Sequence, residues 1–251
     1  MYNVQGYPTI VFLNNQGHEI DRVVGYHPPE QFLDELRRIH AGKGTLTDLK
    51  SKFEKDSTNF SILFKLSQKY DMMGNNNVAR KYIKKIINHD VDSAGTAIFY
   101  DHLYGARESG NPDPLIEFAE KTSDNEKQQM AYQESLFLLR RMKKQPKRES
   151  YIFLQYIRSI QSPTAGLLNN FAWRMTELEM NLDTALVKID IALGMENKPK
   201  QTYMYLDTKA EVLWKLNRIE EALSVIEKCV KGEPDNKYYQ EQKEKFLKSR
   251  V

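Results

Sequence analysis

The sequence predicts a mostly α protein, with one short β-hairpin and a helix at the start, followed by an α-solenoid of paired helices. Three observations carry that prediction. A β-branched apolar run, Thr9 to Leu13, is followed at once by the turn residues Asn14-Asn15-Gln16-Gly17. From Thr45 onward strand signals stop, and apolar residues recur with the period of an α-helix. Within that region one pattern of large and small residues returns three times, the mark of an internal repeat.

The first strand is Thr9–Leu13, short, apolar and rich in β-branched residues. Gly17 supplies the positive φ that a tight turn needs. The second strand, His18 to Val24, alternates in part, with Ile20 and Val24 on one side and Glu19, Asp21 and Val23 on the other. Gly25 ends it. Pro28-Pro29 opens a helix, where a missing N–H costs nothing. Phe32, Leu33, Leu36 and Ile39 then form its apolar face.

Gly6-Tyr7-Pro8-Thr9, with Gly25-Tyr26 after the second strand, is the most specific part of this segment. In order and in residues, Tyr2 to about Ala41 resembles the last two strands and last helix of a thioredoxin-like domain. That resemblance implies a cis-proline loop at Tyr7-Pro8, with Tyr7, Pro8 and Thr9 contacting an extended peptide. It also implies an upstream Cys-x-x-Cys motif, absent here. The sole cysteine is Cys229, far along the helical region.

A lone hairpin with one helix is marginal in water. In the resembled family, a strand absent from this sequence pairs with Thr9–Leu13, so its outer edge is expected to be exposed, flat and apolar. The hairpin therefore docks on the helical region, pairs with another chain, or belongs to a fragment of a longer protein. A fragment is the favoured outcome of the three. Isolated residues 1–44 are not expected to fold.

Gly42-Lys43-Gly44-Thr45 lacks the full glycine spacing of a phosphate loop and is read as a linker. The expected domains are thus 1–44 and 45–251. Leu46 to Phe53 is a linking helix. Leu63, Leu66, Ser67 and Tyr70, then Ala79, Ile83 and Ile86, form the first clear helical pair. Leu168, Phe171, Ala172 and Met175 lead into Ala185, Ile189 and Ala192, with one extra residue before Ala185. Leu206, Ala210 and Leu213, then Ala222, Ile226 and Cys229, repeat the pattern, which Pro234 closes. Small residues recur because two helices must cross closely there. This spacing resembles the tetratricopeptide repeat. Two degenerate pairs fill the interval, near 95–121 and 125–161, with Asn111-Pro112-Asp113-Pro114 and Gln145-Pro146 as turns. Tyr239 to Leu247 is a polar capping helix. The groove of such an array implies a protein or peptide partner.

Lys and Arg number 37 against 34 Asp and Glu, a balance that gives no reason to expect nucleic acid or membrane binding. No apolar run approaches the ~20 residues of a spanning helix. The start carries no basic-then-apolar signal, although bacterial proteins of the resembled architecture are often exported to the periplasm. One cysteine excludes an internal disulfide framework. His18, His27, His40, His89 and His102 have no metal-ligand spacing, so neither metal nor cofactor is expected.

Cys229 sits in the small-residue slot that Ala192 fills one repeat earlier, and is read as a buried, inert thiol. The basic run Arg140, Arg141, Lys143, Lys144, Lys147 and Arg148 is read as a solvated face at a helix end. Trp173, Tyr203, Tyr205 and Trp214 divide between core and groove. No carboxylate pair or nucleophile triad emerges.

The function these features favour is a non-enzymatic protein-interaction module with a redox-inactive thioredoxin remnant. The alternative is a fragment of a thiol-disulfide oxidoreductase whose Cys-x-x-Cys half lies upstream of Met1. No activity is expected of the chain as given, since exchange needs two cysteines. The exposed Thr9–Leu13 edge offers a route to self-association. A basic-patch RNA binder has little support from the overall charge.

Overall fold

The computed structural model describes residues 2–4, 6–89, 95–196 and 198–250. The chain forms two compact units, Met1–Lys121 and Thr122–Val251.

In the first unit, β1 (Thr9–Leu13) pairs antiparallel with β2 (Glu19–Val24), from Thr9 opposite Val24 to Leu13 opposite Glu19. The Asn14 side chain accepts from the backbone N–H groups of Gln16 and His18, which fixes the turn. No third strand lies beside β1 among the described residues, and Ile10 and Leu13 remain exposed. The Tyr7–Pro8 peptide bond is cis. Helix α1 (Pro29–His40) follows, with Pro29 in its first turn and Arg37, Arg38 and His40 in its last. Five helices complete the unit: α2 (Leu46–Lys55), α3 (Phe60–Met72), α4 (Asn76–Asn88), α5 (Thr96–Ser109) and α6 (Asp113–Lys121). Side chains of Thr45, Asn59 and Asn75 accept from backbone N–H groups in the first turns of α2, α3 and α4.

The hairpin docks on the helices through buried charges, with Val23 of β2 buried beside them. Both Asp21 and Arg22 are buried, although they point to opposite sides of β2. Asp21 accepts from Lys69 Nζ at 2.5 Å and from Arg38 Nη2 at 2.7 Å, tying β2 to α3 and α1. Arg22 is held bidentately by Glu19 and donates to the carbonyls of Asn3 at 2.7 Å and Met72 at 3.2 Å. Asp21 and Val23 on one side of β2 and Arg22 on the other are thus all buried, while Val24 is exposed.

The second unit contains α7 (Asn125–Met142), α8 (Pro146–Ser159), α9 (Ala165–Leu178), α10 (Leu182–Met195), α11 (Pro199–Lys215), α12 (Ile219–Gly232) and α13 (Lys237–Lys248). Helices α7 and α8 pair, as do α9 with α10 and α11 with α12. Helix α9 also packs on α11, and α13 caps α12.

The small residues fall where close crossing requires them. Ser67 and Ala79 in the first unit, and Ala172, Ala185, Ala192, Ala210 and Ala222 in the second, are fully buried. The turns within pairs need left-handed residues: Gly74 (φ 66°) before α4 and Asn217 (φ 60°) before α12. The pair that is one residue longer turns through two, Glu179 (φ 53°) and Asn181 (φ 48°).

Cys229 lies in the core with Ala210, Leu213, Ala222, Ile226 and Phe246. Its thiol donates to the Tyr203 carbonyl at 3.4 Å, and burial pushes its pKa up to about 12. Burial and the raised pKa both disfavour the reactive thiolate. No described residues form a cluster of three or more His, Cys, Asp or Glu side chains able to hold a metal. No described helix is long and apolar enough to cross a membrane.

Candidate functional site

In the second unit a groove of about 930 Å³ runs over the first helices of successive pairs, α7, α9 and α11, and ends against α13. Two of its polar side chains come from equivalent positions of the repeat: Asn169 and Asp207 each follow the first large residue of their helix pattern, Leu168 and Leu206, and Gln133 of α7 adds an exposed polar group. All three line the groove. Four residues further on, Phe137 and Trp173 line it as well, and Tyr156 and Tyr238 add aromatic surface. The 3.6-residue period explains this set: a residue beside a core leucine lies at the edge of the buried stripe, and its neighbour one turn on shares that edge.

One end of the groove carries a closed ionic network. Glu149 of α8 is buried and accepts from Arg174 Nε at 2.6 Å and Nη2 at 2.9 Å, with Arg140 Nε at 3.3 Å. Arg174 Nη1 also donates to Glu177 at 2.7 Å, and Trp173 Nε1 donates to the same carboxylate at 3.1 Å. The bond to Glu149 raises the Arg174 pKa further above its ordinary value. Arg140 also lies over the Phe153 ring, 4.9 Å from its centroid.

The other end holds buried polar groups instead of paired charges. Asn169 and Asp207 are 7% and 6% exposed, and the Oδ1 atom of each has no hydrogen-bond partner among the described residues. Asp207 Oδ2 accepts from the Tyr238 hydroxyl at 3.1 Å, and that hydroxyl in turn accepts from Gln242. Burial raises the Asp207 pKa from 3.8 to about 6. A native fold leaves few buried polar atoms unpaired, and two on one groove floor mark a place where donors are wanted.

Comparison with known proteins now bears on both units. Residues 1–40 match a thioredoxin-like domain. YrrB, described as a TPR (tetratricopeptide-repeat) protein with an unusual peptide-binding site, superimposes with a TM-score of 0.55 at 14% identity, over 78% of this chain and 97% of that one. The structure of Naa15/Naa10 bound to HypK-THB gives 0.50 at 13% identity, over 86% of this chain and 32% of that one. A tetratricopeptide-repeat protein from Parabacteroides merdae ATCC 43184 gives 0.42 at 13% identity, over 85% of this chain and 80% of that one. No curated protein matches the sequence. The fold is therefore a thioredoxin-like segment joined to a tetratricopeptide-like helical array.

The residues singled out from sequence are dispersed. Tyr7 is almost fully exposed, Pro8 is exposed and Thr9 half-buried, its hydroxyl donating to the Gly6 carbonyl. The basic run is divided: Arg140 and Lys143 line the groove, whereas Lys144 and Lys147 face solvent. Asn169, Asp207 and the Glu149–Arg174 pair escaped the sequence reading. The available signal for the first two was a polar residue at the same offset in successive repeats.

Proposed function

We propose that this chain is a non-enzymatic protein-interaction module whose second-unit groove binds an extended peptide segment of a protein partner. The observation that carries this reading is the row of groove-lining side chains on α7, α9 and α11, with acceptors at Asn169 and Asp207 unpaired among the described residues. Backbone N–H groups of a peptide are suitable donors for Asn169, and the exposed aromatics supply area for its side chains. The fold likeness to YrrB, whose peptide-binding site is noted above, supports it. The test is retention of the full chain on an array of random 12-residue peptides. Wild type is expected to bind a subset, and Asn169→Ala with Trp173→Ala to lose at least about tenfold, or about 1.4 kcal/mol. Equal binding by wild type and the double variant counts against the groove.

Residues 1–44 are, on this reading, a redox-inactive thioredoxin-like module preceding a repeat module of residues 45–251. Tyr7, Pro8 and Thr9 form a second peptide-contacting loop, supported by the exposure of Tyr7 and Pro8. The unpaired edge of β1 supports self-association, which a concentration series by sedimentation would reveal as a rising mass.

The match of residues 1–40 to a thioredoxin-like domain favours a second reading. There the chain is part of a thiol-disulfide oxidoreductase with its Cys-x-x-Cys upstream of Met1, and the repeats recruit substrate. The intact mass of the protein from its natural source decides between the two. A mass equal to this sequence supports the module, and a larger one with a reducible disulfide supports the oxidoreductase.

A further inference from the structure

The two ends of the second unit's groove differ in how their charged groups are paired. At the α8 side, Arg140 and Arg174 are joined by hydrogen bonds to Glu149 and Glu177, and Lys143 adds a further cation to the lining. At the α11 side, Asp207 has a neutral phenol on Oδ2 and, among the described residues, nothing on Oδ1. The cation nearest in effect is Lys245, and its ammonium is committed to Glu211 at 2.5 Å. The neighbouring Glu211 charge adds repulsion to the burial of Asp207.

We propose that this end of the groove anchors a basic side chain, so that the peptides it binds carry a lysine or arginine at one fixed position. This rests on the peptide-groove reading and adds the identity of the anchor. A buried carboxylate is stabilised most by a charged donor, whose hydrogen bonds are about twice as strong as neutral ones. Ammonium and guanidinium groups bring several donors and no acceptor, which suits two unpaired oxygens on one floor, Asn169 Oδ1 and Asp207 Oδ1. Met204, Tyr238 and Tyr239 line the same cavity and offer apolar surface to the methylene stem of such a side chain. Tyr238 is exposed at the rim with its hydroxyl on Asp207 Oδ2, and a bound basic side chain reaches the shielded Oδ1 by displacing this ring. An acidic side chain in this position would meet Asp207 and Glu211, like charges in a partly desolvated site.

The experiment uses the full chain and an array of acetylated, amidated 12-residue peptides, random except at a fixed central position. That position is lysine, arginine, citrulline, norleucine or glutamate. Wild type is expected to retain the lysine and arginine series at least about tenfold better than the citrulline and norleucine series. Asp207→Asn, which keeps shape and the Tyr238 bond, is expected to reduce that preference to about twofold while still binding peptides. Its fold is verified by circular dichroism and thermal unfolding. Binding without preference for the basic series, preference for glutamate, or a preference unchanged in Asp207→Asn overturns the basic anchor and leaves the peptide groove standing. Retention of no series overturns the groove itself, and the anchor with it.

Discussion

Glu149 shows how one residue can set the geometry of a groove it does not line. Its carboxylate is buried between α7 and α9, where it orients Arg140 and Arg174. Arg174 supplies the two short bonds, and Arg140 only a long one. Replacing Arg174 by leucine therefore leaves a buried charge almost uncompensated, and breaking such a pair costs about 3–5 kcal/mol. Urea unfolding of Arg174→Leu is expected to show a loss of that order. Replacing both partners removes the stranded charge along with the bond, so Glu149→Leu with Arg174→Leu is expected to recover much of the stability. A double variant no more stable than Arg174→Leu alone would mean the pair contributes by packing and not by charge.

At the scale of elements, the hairpin and α1 depend on groups that lie beyond them in the chain. Asp21 needs Lys69, and Arg22 reaches the Met72 carbonyl, both at the C-terminal end of α3. A peptide of residues 1–44 keeps Arg38, Glu19 and the Asn3 carbonyl but loses these anchors, and with them the helices on which β2 is buried. Such a peptide is expected to melt without a cooperative transition in circular dichroism; a sigmoidal melt would show that the ββα segment folds alone. The sequence made the three regular helical pairs legible, because leucine and alanine at helical spacing identify both the helices and their crossings. Turn prolines located even the degenerate pairs, since α5–α6 and α7–α8 lie within a few residues of 95–121 and 125–161. The docking of the hairpin was not legible. An ion pair between Asp21 and Lys69 has no periodicity, and its burial is a property of tertiary packing. Asn169 and Asp207 were half legible, because their offset recurs, but burial alone distinguishes a groove floor from an ordinary polar edge.

For the molecule as a whole, pH acts on two opposed sets of acids. Glu117, Glu179, Glu221 and Glu227 are held below the ordinary range by hydrogen bonds from Lys121, Lys215, Arg218 and Lys243. They contribute stability above their unfolded pKa and lose it as pH falls, but they are solvated, and such pairs are worth little. Asp207 works the other way and is buried. With its folded pKa near 6 and its unfolded value near 3.8, the native state binds the proton more tightly. Its contribution is intact below about pH 4 and declines as pH rises through 6, by up to roughly 3 kcal/mol. Asp207→Asn carries no such proton. Its thermal stability relative to wild type is therefore expected to be near zero at pH 4, to rise between pH 4 and 6, and to level off in favour of the variant above pH 7. A difference constant across that range would show that Asp207 ionises with an ordinary pKa. The expected curve has a functional consequence. On the basic-anchor proposal, the cost of ionised Asp207 to the free protein is the part that a charged donor offsets on binding.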